Sequence, residues 1–186
     1  VISRSHAEAR AQGIPWPEIQ WPSIVQEVLP ALRNLAPDRF EEFVFRQMQL
    51  GRTLKLANGS ADCLRYLREQ GCLLGIISNS QAYTLRELAE ALAPVNIDLA
   101  WFQNDLQFWS FENGFSKPDP HAFRILTARL AQRGISPSQT LMVGDRLDND
   151  IDPARAQGWQ TWQLFREQGS GMSGPWKALR EWIETD

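Results

Sequence analysis

The sequence has few cysteines and lacks any long apolar run. Only Cys63 and Cys72 are present in 186 residues, too few for a disulfide framework, and we expect both to be buried thiols. The longest apolar stretches, such as residues 72–77, are far shorter than the roughly 20 residues of a bilayer-spanning helix. No basic and then apolar leader opens the chain. We therefore expect a soluble, cytoplasmic protein with no membrane partner.

The sequence also lacks an excess of positive charge. Nineteen basic and 22 acidic residues are interspersed and give a formal net charge of -3. This balance gives no cluster of positive charge of the kind that binds the phosphate backbone of nucleic acids, so nucleic acid is not an expected partner. Neither His6 nor His121 has a second metal-type ligand at a recognisable spacing. The length suits one sizeable core, or a core domain with a small appendage.

The first third of the chain is predicted to be a helical subdomain, residues 1–56. Prolines between positions 15 and 22 predict an irregular chain before Ser23, which we expect to cap the first helix, and Pro30 is expected to end or kink it. The apolar residues that recur at helical spacing are Ile24, Val25, Val28, Leu29, Leu32, Phe40, Phe43, Val44 and Met48.

Beyond residue 57 the pattern changes to alternating helices and short apolar strands, which predicts an α/β core over residues 57–186. A parallel sheet covered on both faces is expected, because its strands are continuously apolar. Ligands of such sheets bind beyond the carboxyl ends of the strands, a rule that selects Ser78 and Asp145. The predicted helices are residues 60–70, 83–92, 119–134, 153–157 and 176–183, and the predicted strands are residues 73–77, 99–102, 141–143 and 161–165.

Three stretches carry a resemblance to one family. They are IISNS at residues 76–80, SKPDP at residues 116–120 and VGDRLDNDI at residues 143–151. In order and context they resemble the second, third and fourth motifs of the haloacid dehalogenase superfamily of hydrolases, phosphatase type. The resemblance covers residues 58–165, and the helical first third resembles the family's cap. It implies a three-layer α/β/α Rossmann-like fold with a small helical cap subdomain.

The resemblance implies a catalytic role for Ser78, Lys117 and Asp145. Ser78 and Asn79 would bind phosphoryl oxygens, and Lys117 would offset the negative charge of the phosphoryl group and of nearby carboxylates. Asp145 would coordinate Mg²⁺ directly, with Asp150 a second ligand or the group that orients a metal-bound water.

Other interpretations of the acidic stretch compete with a magnesium site. Asp148 and Asp152 are expected to be helix-cap or solvent carboxylates. A calcium loop starting at Asp148 fails, because Pro153 stands where glycine is required and Trp159 where glutamate is required. A purely structural acidic loop before Pro153 remains open.

The family's first motif is absent from the sequence. That motif is a strand ending in Asp-x-Asp, followed by glycine and threonine, and it supplies the nucleophile and the acid and base. Asp98 lacks both the partner carboxylate and the following glycine. The resemblance implies that the chain is the remainder of a longer protein and that the motif precedes Val1. Loss of that middle strand would leave two unpaired sheet edges.

The resemblance therefore implies a Mg²⁺-dependent hydrolase of a small phosphorylated metabolite. The alternatives are a dehalogenase-type hydrolase and a catalytically inactive binding module that has lost its nucleophile. Neither the substrate nor the oligomeric state is specified by the sequence.

Overall fold

Helices occupy most of the N-terminal third of the chain. The computed structural model describes residues 1–50, 54–165 and 172–185. Its first helices are α1 (Ile2–Ala11), α2 (Trp21–Val28) and α3 (Pro37–Gln49). Among the helices of the described ranges, none has both the length and the apolar content needed to cross a bilayer.

Two predictions about this region were wrong and one is confirmed. An irregular chain was expected before residue 23, but residues preceding the prolines form α1, which is rich in good helix formers and buries no side chain. Ser23 does not cap α2, because the helix already begins at Trp21 with Pro22 in its first turn. The break at Pro30 is confirmed, since α2 ends at Val28 and a 3₁₀ turn follows.

The rest of the chain alternates helices with parallel strands. The predicted helix start at Asp119 is confirmed, because its carboxylate accepts a hydrogen bond from the N–H of His121 at 2.9 Å. The elements are α4 (Ser60–Glu69), β1 (Leu74–Ser78), α5 (Tyr83–Leu92), β2 (Phe102–Trp109), α6 (Ser110–Asn113), α7 (Pro120–Gln132), β3 (Leu141–Gly144), α8 (Asp152–Arg155), β4 (Gln160–Leu164), β5 (Ser173–Gly174) and α9 (Trp176–Thr185).

One strand lies further along the chain than predicted. A strand was expected over residues 99–102, but a 3₁₀ turn spans Leu99–Trp101 and β2 begins only at Phe102. Exposed Asn104 and Asp105 interrupt the apolar pattern of β2, so the sequence pattern did not indicate a strand there.

The strands form two parallel sheets in the part of the chain that the structure describes. Strand β1 pairs with β2, and β3, β4 and β5 form the second sheet in that order. Helices and parallel strands confirm the predicted α/β class. Within the described ranges, β1 and β3 each have a strand partner on one side only. Both strands therefore leave a row of backbone N–H and C=O groups without a strand neighbour.

The two sheets share one apolar core. Phe108 of β2, Phe123 of α7 and Met142 of β3 belong to the same buried cluster. Burial of a side chain such as phenylalanine contributes about 1.5–3 kcal/mol. A second cluster joins Cys63 of α4 and Leu179 of α9 to Trp162 of β4. Packing on helices thus holds the sheets in place where direct strand pairing does not.

The apolar side chains of β1 and β3 are less buried than those of a central parallel strand usually are. Ile76, Ile77 and Val143 are each partly exposed, whereas Phe108 is 1% exposed and Trp162 is 3% exposed.

The predicted boundary at residues 56 and 57 stays a prediction. Helices α1 to α3 precede it, and residues 51–53 lie outside the described ranges. Pro17, on the N-terminal side of this boundary, forms an antiparallel bridge with Phe115.

The two cysteines should differ in reactivity. Burial raises the pKa of the Cys63 thiol to about 11, against a weaker lowering by Arg180, so this thiol stays protonated at neutral pH. Cys72 was expected to be buried and is exposed, because it follows the Gly71 turn ahead of β1. We expect one thiol to react rapidly with dithionitrobenzoate in the native protein and two in guanidinium. Rapid native reaction that persists in Cys72→Ser would contradict this.

The ion pair between Asp105 and Arg133 should make the stability of the protein depend on pH in the acidic range. The Arg133 guanidinium contacts both carboxylate oxygens of Asp105 at 2.6 and 2.9 Å, and these hydrogen bonds lower the Asp105 pKa. A lowered folded-state pKa means that the stabilisation is present above the unfolded value, 3.8, and is lost as the pH falls through the folded value. We expect Asp105→Asn to lower the Tm at pH 7, with the difference from wild type vanishing in stronger acid. Tm curves that stay parallel down to pH 2 would refute this linkage.

Candidate active site

Three loops contribute the predicted site residues. Ser78 is the last residue of β1 and Asn79 follows it, Lys117 lies between α6 and α7, and Asp145 follows β3. Ser78 and Asp145 therefore stand at the carboxyl ends of two strands that each belong to a parallel sheet, which is where ligands of such sheets bind.

Asn79 ties the loop after β1 to the backbone of Lys117. Its amide nitrogen donates to the Lys117 carbonyl at 2.9 Å, and its amide oxygen accepts from the Lys117 N–H at 2.7 Å. The side chain of Asn79 therefore satisfies both backbone groups of Lys117, as a neighbouring strand would.

A buried ion pair joins Lys117 to the loop after β3. Lys117 Nζ lies 2.5 Å from Asp150 Oδ1, and the two side chains are only 10% and 7% exposed. The other oxygen of Asp150 accepts from the Arg146 N–H at 3.0 Å. A Cβ added to Gly144 would lie 2.5 Å from the Asp150 side chain, so only glycine allows this approach. The structure thus brings Asn79, Lys117 and Asp150 together.

A π-helical turn, Leu147–Ile151, presents the carboxylates of this loop in different directions. Asp150 is 5% exposed, whereas the Asp148 side chain is 67% exposed and pairs with Arg146 at 2.7 Å. This hydrogen bond lowers the pKa of Asp148 and raises that of Arg146. Asp148 is a solvent carboxylate, as expected.

The carboxylates fit magnesium in type, although they do not form a complete site. In the ranges that the structure describes, no group of three or more His, Cys, Asp or Glu residues could hold a metal ion. Mg²⁺ is commonly bound by one or two carboxylates together with water and substrate phosphates. Both oxygens of Asp150 already accept hydrogen bonds, so Asp145 is the better candidate for a direct ligand.

A protein-family model matches the part of the chain that contains all of the candidate site residues. The model for haloacid dehalogenase-like hydrolases matches residues 6–158. The chain belongs to this family. The match confirms the predicted membership and extends through the helical first third. No curated protein matches the chain at a significant level.

Solved structures of the family share the fold at low sequence identity. A HAD phosphatase from Thermococcus onnurineus is 24% identical with a TM-score of 0.57, over 81% of this chain and 65% of its own. A HAD family enzyme from Bacteroides thetaiotaomicron, in complex with magnesium and inorganic phosphate, is 18% identical with a TM-score of 0.56, over 81% of this chain and 73% of its own. A 2-haloacid dehalogenase from Pseudomonas syringae is 15% identical with a TM-score of 0.54, over 89% of this chain and 70% of its own. The chain thus spans less than two thirds of the Thermococcus phosphatase.

Sequence reasoning missed three polar residues that border the site of this HAD-like hydrolase. Glu18, Gln81 and Ser110 form hydrogen bonds with one another across distant parts of the chain. No motif contains them, and their spacing matches no local pattern. Only the fold reveals that they meet.

The Lys117–Asp150 pair should be important for stability. Removing one partner of a buried ion pair leaves an uncompensated charge, at a cost of about 3–5 kcal/mol. We expect Lys117→Met to lower the free energy of unfolding in urea by that amount, and Lys117→Met/Asp150→Asn to recover part of it. Lys177→Met is the matched control, because the Lys177 side chain is 83% exposed. Equal losses for Lys117→Met and Lys177→Met would refute the assignment.

Proposed function

We propose that the protein is a Mg²⁺-dependent phosphohydrolase that acts on a small phosphorylated metabolite in the cytoplasm, through an aspartyl phosphate. The observation that carries the proposal is the buried Lys117–Asp150 pair, held beside Asn79. A lysine whose side chain is only 10% exposed is suited to offset phosphoryl charge, because electrostatic attraction is stronger away from water.

Each candidate residue has a distinct task in the proposed reaction. The hydroxyl of Ser78 and the backbone N–H of Asn79 bind phosphoryl oxygens, and the Lys117 ammonium neutralises the charge that accumulates on them. Asp150 orients Lys117 through their ion pair. Asp145 is the direct ligand for Mg²⁺, with Asp150 beside it; when bound, the metal supplies further positive charge at the phosphoryl group.

The nucleophilic aspartate is proposed to lie on a strand between β1 and β3. The open sides of these strands support this, because a strand placed there would pair with both and cover Ile77 and Val143. A carboxylate at the carboxyl end of that strand would lie among Ser78, Lys117 and Asp145. The described residues supply no such strand.

The helical subdomain, residues 1–56, is proposed to be the cap that shapes the substrate pocket and excludes water from it. Exclusion of water strengthens the interactions of Lys117 with the phosphoryl group.

Kinetics of the full-length protein test the proposal. We expect hydrolysis of an aryl phosphate that depends on added Mg²⁺ and is abolished by EDTA. Asp145→Asn should lower kcat/KM by about 10²–10³-fold, as expected for loss of one electrostatic group at a reacting centre. Asp148→Asn is the matched control and should retain activity, because its side chain is exposed on the same loop.

The same assay separates the alternatives. Halide release from 2-chloropropionate without added metal, and no phosphate release, would identify a dehalogenase. No turnover of either substrate by the full-length protein would indicate an inactive binding module. For the 186 residues alone we expect no phosphatase turnover, and activity that disappears in Asp145→Ala would contradict this.

A further inference from the structure

Residues 16–21, here called the joint, pair with the loop that leads to the candidate lysine. The Trp16 carbonyl accepts a hydrogen bond from the Ser116 N–H at 2.9 Å. The Glu18 N–H donates to the Gly114 carbonyl at 3.0 Å. The joint therefore runs antiparallel to the segment directly before Lys117.

Gln81 holds the other side of the joint. Its amide oxygen accepts from the Trp21 N–H at 2.9 Å, and its amide nitrogen donates to the Ile19 carbonyl at 2.8 Å. Trp21 is the first residue of α2, where backbone N–H groups have no partner within the helix. Gln81 thus caps α2 from the core, and its side chain is largely buried.

The carboxylate of Glu18 links these groups. One of its oxygens accepts from the Ser110 hydroxyl at 2.6 Å, a length typical of a charge-assisted hydrogen bond. The other accepts from Gln81 at 3.0 Å and from the Ile19 N–H at 2.9 Å. Ser110, which is fully buried, also accepts from the Ser80 N–H at 2.8 Å.

The loop after β1 therefore holds two neighbours through two amide side chains. Asn79 holds the backbone of Lys117, and Gln81, two residues on, holds the joint. Gln81 and Asn79 thus connect the joint, through one loop, to the backbone of Lys117.

We propose that Glu18 and Gln81 are positioning residues, which fix the helical subdomain to the loop that presents Ser78 and Asn79. The catalytic part of this inference rests on the proposed phosphohydrolase function. Neither residue touches the reacting atoms; each acts through Asn79 and Lys117. A misplacement of about 1 Å at a reacting centre can lower the rate by as much as 10²-fold.

Gln81→Glu is the sharpest single test, made in the full-length protein. It replaces the amide nitrogen with an oxygen that faces the Glu18 carboxylate and the Ile19 carbonyl, so hydrogen bonds become repulsions. We expect faster amide hydrogen exchange both in the joint and in residues 78–81. For an aryl phosphate, kcat should fall by about 10- to 100-fold, with a smaller change in KM. The same substitution at exposed Gln132 of α7 is the control and should change neither exchange nor rate.

A second variant keeps the test decisive if the first is poorly folded. Glu18→Gln/Gln81→Glu restores a donor opposite one of the two acceptors that the new oxygen faces, and the repulsion from the Ile19 carbonyl remains. It should therefore recover part of the exchange protection and part of kcat relative to Gln81→Glu. The proposal is overturned if the joint exchanges faster in Gln81→Glu while residues 78–81 do not. It is also overturned if the double variant is no better than the single one.

Hydrogen exchange separates this inference from the proposed function. It requires no turnover, so a wild-type protein without phosphatase activity would refute the proposed function and leave the exchange result to decide the coupling.

Discussion

The satisfaction of backbone hydrogen bonds at the edges of β1 and β3 is the constraint on which the architecture depends. A parallel strand in the interior of a sheet is paired on both sides, and each of these strands is paired on one side in the described ranges. Apolar side chains of both strands pack with those of α7 and α8 in one buried cluster, and this packing holds the two sheets together. Ser78 and Asp145 stand at the carboxyl ends of these two strands, so the candidate site residues follow strands that are paired on one side in the described ranges.

Amide and carboxylate side chains connect the loops at this edge. Asn79 and Gln81 each satisfy a backbone N–H and a backbone C=O of another segment, which is the role that a strand would otherwise have. Asp150 connects the remaining loop through Lys117. The Lys117–Asp150 contact has both side chains buried and is costly to break, because a group left behind loses its partner without regaining water. Such contacts give irregular loops a defined geometry.

Local patterns predicted a large part of the fold. The continuous apolar runs in β1 and β3, the Asp119 cap and the break at Pro30 depend on nearby residues, and all are found as expected. The start of strand β2 was misplaced because polar residues interrupt its apolar pattern, and Cys72 was expected to be buried but is exposed after the Gly71 turn. Five site residues were named from motifs, and the structure brings Asn79, Lys117 and Asp150 into contact. Glu18 and Gln81 could not be found in this way, because the hydrogen bonds between them join positions far apart in the chain.

The packing of α4 against α9 has a consequence for biosynthesis. Cys63 and Leu179, both fully buried, meet although most of the α/β core separates them in the chain. The closure of so long a loop is entropically unfavourable until the contacts that reward it are available. While the chain is still on the ribosome, the Cys63 side of α4 therefore lacks its neighbours in α9 until α9 has emerged. Nascent chains that stall before that point expose the Trp162 side of the sheet, which is the kind of surface that chaperones recognise.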